Sequence, residues 1–135
     1  MRVLGLDVGE KTVGVAVSDP LGLTAQGVEV IRRSTIQQDL QRLTELVNKY
    51  QVEQIIVGMP RRTDGSYGPE AEKVREFAQQ LAETISVPIE FWDERFSTAA
   101  AERILLEGDV SRAKRRKVVD KVAASVILQG YLDRK

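Results

Sequence analysis

The residues of this chain able to do chemistry are its acids. Cys and His are both absent, which removes thiolate nucleophiles, disulfides, thiolate or imidazole metal ligands and the commonest general base. Acid–base or metal chemistry therefore has to run on carboxylates, Lys, Tyr or water. Asp7 stands out because it interrupts the apolar stretch from Val3 to Val8, immediately before Gly9. A strand buried on both faces excludes charge, and an unpaired buried carboxylate is costly. Asp7 is thus expected to be hydrogen-bonded, paired with a cation, or placed where the strand opens into a cleft. An Asp that caps a turn explains the residue equally well, so the decision rests on the rest of the chain.

A second acidic pair, Asp93-Glu94, closes the apolar stretch from Ile89 to Trp92 in the same way. Strand alternation puts Glu94 on the face of Trp92 and Glu90, with Asp93 pointing the other way. Glu94 is the one expected to reach Asp7; Asp93 is assigned to a local cation or to the cap of the next helix. The third acid, Asp120, sits at helical spacing from Ala123, Ala124 and Ile127, on the border of an apolar face. The two alanines let such a helix lie close to a sheet, and a position near its N-terminus favours an anion. Alone, Asp120 is an ordinary first-turn acid. Three carboxylates converging on one edge raise one another's pKa unless a cation sits between them. Oxygen-only ligation suits Mg²⁺ or Mn²⁺, and two such ions can clamp the attacking and leaving oxygens of a phosphodiester.

The elements that must bring these acids together follow from periodicity. The opening stretch and Thr12 to Asp19 form two strands joined by a tight turn, with Asp7 on the face of Val3 and Gly5. Pro20-Leu21-Gly22 turns into a third strand, Thr24 to Ile31, in which Val28 and Val30 alternate against Glu29 and Ile31. Ser34-Thr35-Ile36-Gln37 is a capping box. The helix it opens carries Ile36, Leu40, Leu43, Val47 and Tyr50 as one stripe. A buried strand from Gln54 to Gly58 is stopped by Met59-Pro60, and a polar loop, Arg61 to Gly68, ends at Pro69, a good first helical residue. The next helix shows Val74, Phe77, Ala78, Leu81, Ala82 and Ile85 on one face. A strand from Pro88 to Trp92 follows, then a short helix capped by Ser97 or Thr98 and ending at Gly108, and a last helix from Val118 to Leu132.

Hairpins need short turns and helical crossovers imply parallel strands. The economical arrangement is a single α/β domain, residues 1–135, with a five-stranded mixed sheet of order 3-2-1-4-5 flanked by helices. Its first strand is central, and the ends after Asp7, Gly58 and Trp92 share the edge where open α/β sheets bind their ligands.

Lys plus Arg and Asp plus Glu both number 20, so net charge names no partner; its distribution does. Arg112, Lys114, Arg115, Arg116 and Lys117 crowd together just before the helix of Asp120. Taken alone such a run is a solvated surface, mobile without nucleic acid. Beside the acidic edge, together with Lys11, Arg61, Arg62 and Arg95, it can hold backbone phosphates, which supplies affinity without sequence readout. Tyr67 is placed to stack on a base, whereas Trp92 is assigned to core packing. No apolar run approaches membrane-spanning length and the N-terminus lacks a signal-peptide pattern, so a cytoplasmic location is expected.

The spaced combination of Leu6-Asp7-Val8-Gly9, Gly14-Val15-Ala16-Val17-Ser18-Asp19, Val57-Gly58-Met59-Pro60 with Asp64-Gly65, Asp93-Glu94-Arg95-Phe96-Ser97-Thr98 and Asp120-Lys121-Val122-Ala123-Ala124 resembles the YqgF/RuvX family of Holliday-junction-resolvase-like proteins, essentially end to end. Arg61-Arg62 replace the apolar or amide pair found there in many relatives. The resemblance implies an RNase H-like fold and metal-binding, catalytic acids at Asp7, Glu94 and Asp120, with Mg²⁺ or Mn²⁺ as cofactor. It also implies a nuclease that matures the 5′ end of pre-16S ribosomal RNA. Pre-16S rRNA, branched DNA and ribosomal precursor particles are the expected partners, with the chain acting as a monomer or homodimer. Two competing expectations are a module that binds nucleic acid or a transcription complex without cutting it, and a phosphotransferase. The phosphotransferase is suggested by the likeness of the opening Asp-x-Gly hairpin to actin-like kinases, which need two lobes to enclose nucleotide.

Overall fold

The computed structural model of the chain describes residues 1–60, 66–93 and 112–134, the side chains of 112–121 excepted. Its elements are β1 (Val3–Val8), β2 (Thr12–Ser18), β3 (Ala25–Arg32), α1 (Ile36–Tyr50), β4 (Gln54–Met59), α2 (Pro69–Thr84), β5 (Ile89–Asp93) and α3 (Arg112–Asp133). The strands form one sheet of order β3-β2-β1-β4-β5, the order expected from sequence. β1 pairs antiparallel with β2, Asp7 opposite Gly14, and parallel with β4, Leu6 opposite Val57. β4 in turn pairs parallel with β5, Gly58 opposite Trp92. Among the described residues no helix is long and apolar enough to cross a membrane.

Alternation along each strand sorts the core into two layers. Leu4, Leu6, Val13, Val15, Ile55 and Val57 face one way, against Leu40, Leu43 and Val47 of α1 and Val74, Phe77 and Leu81 of α2. Val3, Ala16 and Ile56 face the other way, against Ala124, Ile127, Leu128 and Tyr131 of α3. Each fully buried Leu or Ile contributes roughly 1.5–3 kcal/mol. α3 lies close because small residues meet there: a Cβ built on Gly5 would stand 2.7 Å from the Cβ of Leu128 and 3.3 Å from the carbonyl oxygen of Ala124.

Several local expectations are corrected. α1 is capped one residue later than the Ser34 box: Thr35 is the N-cap and its hydroxyl accepts from the Gln38 N–H, while the Ser34 hydroxyl donates to the Gln38 side chain. In β3 the register with β2 shifts at Val15/Ala16, where Glu29 and Gly27 find partners and Val28 does not. That bulge turns Val28 onto the α1 side with Ile31, out of alternation with Val30. Ala82 is exposed, and Ala71 takes the buried place on α2 instead. α3 begins at Arg112 rather than Val118, so the basic run is its first turns. Asp120 then lies about two turns inside the helix, beyond the reach of a macrodipole that decays within one turn.

Candidate active site at the carboxyl edge of the sheet

Asp7 sits at the carboxyl end of the central strand, half-buried, on the face of Val3 and Gly5. The contacts of Gly5 with Ala124 and Leu128 and of Val3 with the Tyr131 cluster fix the direction of α3, which runs antiparallel to β1. One alternation beyond Gly5 brings the strand to Asp7, and one helical turn before Ala124 brings the helix to position 120. The backbone thus carries both positions toward the same end of one face. Trp92 lies on this face too, edge-on to Tyr131 with ring centroids 5.8 Å apart, as the core role assigned to it requires. Alternation from Trp92 continues toward Glu94, which itself lies outside the described residues.

The turn after Asp7 is tightly held. The Gly9 N–H donates to Thr12 O at 2.8 Å, and the Arg33 N–H donates to Lys11 O at 2.8 Å. The Arg33 guanidinium donates from Nη1 to Gly9 O at 2.7 Å and from Nε to Asp39 at 3.4 Å, and it lies over the Phe77 ring at 5.1 Å. Asp39 is only 2% exposed and also accepts from the Ser34 N–H at 3.1 Å. Sequence reasoning missed this network. The available signal was an acid at position 39, between Ile36 and Leu43 on the apolar stripe of α1.

On the α1/α2 side, the same edge opens into a cleft of about 450 Å³ lined by Val8, Gly9, Glu10, Arg33, Pro60, Glu70, Lys73 and Val74. Lys73 of α2 reaches across to Glu10 at 2.8 Å. The hydrogen bond and charge of Lys73 hold the Glu10 carboxyl below its ordinary pKa, and Glu10 raises that of Lys73 in return. Lys11, exposed at the tip of the hairpin, is the one expected phosphate contact whose side chain lies among the described residues. Arg61, Arg62 and Arg95 lie outside the described residues. For Arg112, Lys114, Arg115, Arg116, Lys117 and Asp120 the backbone is placed on α3, while their side chains lie outside the described set. The short helix expected between Ser97 and Gly108 is outside it as well. Tyr67 is exposed beneath the Arg75 guanidinium, 5.0 Å from its ring.

Comparison with known proteins agrees with this architecture. A curated protein of Symbiobacterium thermophilum named "Putative pre-16S rRNA nuclease" is 64% identical over 133 residues, covering 98% of this chain and 92% of the relative. One of the same name from Desulforamulus reducens is 59% identical, covering 98% and 97%. Among solved structures, Thermus thermophilus RuvC in complex with Holliday junction substrate superposes with a TM-score of 0.59 at 18% identity, covering 94% of this chain and 91% of that one. The fowlpox virus Holliday junction resolvase also gives 0.59, at 14% identity and 98% coverage of both chains. At such identities the likeness establishes the fold, which is RNase H-like. The family model described as "RuvX: Holliday junction resolvase" matches residues 1–134, and the chain belongs to that family of nucleases.

Proposed function

We propose that this chain, acting as one domain over its whole length, is a divalent-cation-dependent endonuclease that hydrolyses phosphodiester bonds at the 5′ end of pre-16S ribosomal RNA. The observation that carries the reading is the position of Asp7. It is a half-buried carboxylate at the carboxyl end of the central strand, on the face along which α3 brings position 120. The names of relatives 59% and 64% identical over nearly the whole chain support the substrate.

The donor set fits a hard cation. With no His or Cys in the chain, Asp7, Glu94 and Asp120 offer oxygen only, which suits Mg²⁺ or Mn²⁺. When bound, such ions supply Lewis-acid polarisation of the phosphodiester and a nucleophile available at neutral pH. Asp7 fixes one ligand position because its strand is paired on both sides. Lys11, Arg61, Arg62, Arg95 and the basic start of α3 hold the backbone phosphates. Arg112 to Lys117 place positive charge at the positive end of a helix dipole with no acid in the first turn; an incoming phosphate relieves that repulsion. A cytoplasmic location and contact with ribosomal precursor particles belong to the same reading.

The description of the family favours a second reading, cleavage of a four-way DNA junction, which would need two copies to make symmetric cuts. One experiment separates the readings. Purified protein with Mg²⁺ or Mn²⁺ is given a 5′-extended 16S precursor and a four-way DNA junction, beside Asp7→Asn. Metal-dependent cutting of the RNA, lost in Asp7→Asn with RNA affinity retained, is the expected result. Cutting of the junction alone selects the resolvase. Binding of either substrate without cutting would make the chain a binding module, and cutting by Asp7→Asn would remove Asp7 from the site.

A further inference from the structure

The cleft on the α1/α2 side of the edge is absent from the acid-centred site, and its chemistry is distinct. We infer that it is a subsite for one backbone phosphate of the bound nucleic-acid strand. Arg33 and Lys73 are its cations, and Glu10 occupies Lys73 until the strand arrives. The inference rests on the nucleic-acid reading above and extends it to residues which that reading does not use.

Position comes first. Val8 lines the cleft, and Val8 and Asp7 are consecutive, with Cα atoms about 3.8 Å apart. Their side chains point to opposite faces of the sheet. A polynucleotide crossing the carboxyl edge therefore passes from Asp7 into the cleft within the span of one strand. The cleft also has a fixed cation. Arg33 is held by Asp39, Gly9 O and the Phe77 ring, so its guanidinium is ordered before a ligand arrives and loses little freedom on binding.

The second cation is exchangeable. Lys73 and Glu10 meet at 2.8 Å, yet their side chains are 63% and 75% exposed, and such pairs contribute little to stability. A phosphate diester offers Lys73 a competing anion with the oxygen geometry that Arg33 also accepts. The lining carries as many carboxylates as cations, Glu10 and Glu70 against Arg33 and Lys73, so the cleft has no net charge to draw an anion and takes the phosphate only when the rest of the strand is anchored at the edge.

The test is equilibrium binding, in EDTA to prevent cleavage, of a labelled RNA spanning the 5′ end of the 16S precursor and of a labelled four-way DNA junction. Lys73→Gln is expected to weaken binding by about three- to tenfold and to reduce the slope of log K against log salt by about one. Glu10→Gln is expected to tighten binding about twofold or more, and that gain should vanish in Lys73→Gln/Glu10→Gln. A pair that only ties the hairpin to α2 would make both single variants move affinity the same way, or not at all, and would overturn the inference. A Glu10→Gln gain that survives in the double variant would show a general charge effect and overturn it equally. If wild-type protein binds neither probe, the nucleic-acid reading itself fails, an outcome separate from normal wild-type binding with unresponsive variants.

Discussion

The guanidinium of Arg33 donates to the carbonyl oxygen of Gly9 at 2.7 Å, so the turn leaving Asp7 is anchored by a residue at the end of β3. The same side chain balances the buried carboxylate of Asp39. Arg33→Met strands that carboxylate without its cation and frees the turn; we expect a loss of about 2–3 kcal/mol. Urea denaturation measures it. Arg33→Met/Asp39→Asn should recover part of the loss, because it removes the uncompensated charge. A double variant no more stable than Arg33→Met would place the cost elsewhere.

Gly5 is the point of closest approach between β1 and α3. In Gly5→Ala the new Cβ falls 2.7 Å from the Cβ of Leu128, a separation that atoms of two ordered elements cannot keep. α3 has to move outward, at a cost of about 1–3 kcal/mol. Since α3 carries position 120, cleavage should fall more steeply than thermal stability. A melting curve and a cleavage assay on the same preparation would show it, and an unchanged melting temperature would contradict the packing described.

Gln51, the C-cap of α1, has φ 52°, a left-handed conformation that disfavours side chains. Gln51→Gly is expected to stabilise the fold by about 0.5–1 kcal/mol, the relief of the Cβ clash being partly offset by the greater freedom of Gly when unfolded. The site lies at the other end of the sheet, so turnover should stay the same. A lower midpoint in chemical denaturation would sink this prediction.

Asp19 organises the turn between β2 and β3. The N–H groups of Thr24, Leu23 and Leu21 donate to its carboxylate and hold its pKa below the ordinary 3.8. A lowered native pKa means that the contribution is present above the unfolded value and is lost as pH falls through the folded one. The amide protons of Leu23 and Thr24 should therefore shift in NMR spectra with a midpoint below pH 3.8. In Asp19→Asn that titration should disappear. A midpoint above that value would contradict the hydrogen-bonded geometry.

What the sequence made legible is the part written in periodicity. Leu4 and Leu6 against Val3 and Gly5, and the apolar stripes of α1 and α2, specify faces. Short turns and long crossovers then leave little choice of strand order. The bulge at Val28 escaped because an extra residue in β3 leaves no local mark; it exists only in the pairing with Val15 and Ala16. The start of α3 was missed for a different reason. Arg and Lys are good helix formers, but five of them in six positions repel one another, and repulsion reads as a solvated segment until the helix behind it is seen.

The site was legible unevenly. Asp7 announced itself by breaking an apolar run, and its strand end and face came out as expected. Glu94 and Asp120 were named from spacing and remain part of the proposal. Arg33 gave no signal in sequence: it is one of two consecutive arginines, and only the return of β3 to the hairpin brings it against Gly9, Asp39 and Phe77. Glu10 and Lys73 were equally silent, being sixty-three positions apart.

The central place of β1 has a consequence for local opening. Its amides are shared with β2 on one side and β4 on the other, and helices cover both faces. β3 and β5, at the rims, can fray while β1 stays paired, so the slowest hydrogen exchange should fall on Leu4 to Leu6, approaching the rate of global unfolding. Asp7 thus rides on the part of the molecule that opens last. Thermal fluctuations that loosen the rims leave one carboxylate fixed, and rearrangement at the edge is confined to whatever moves toward it.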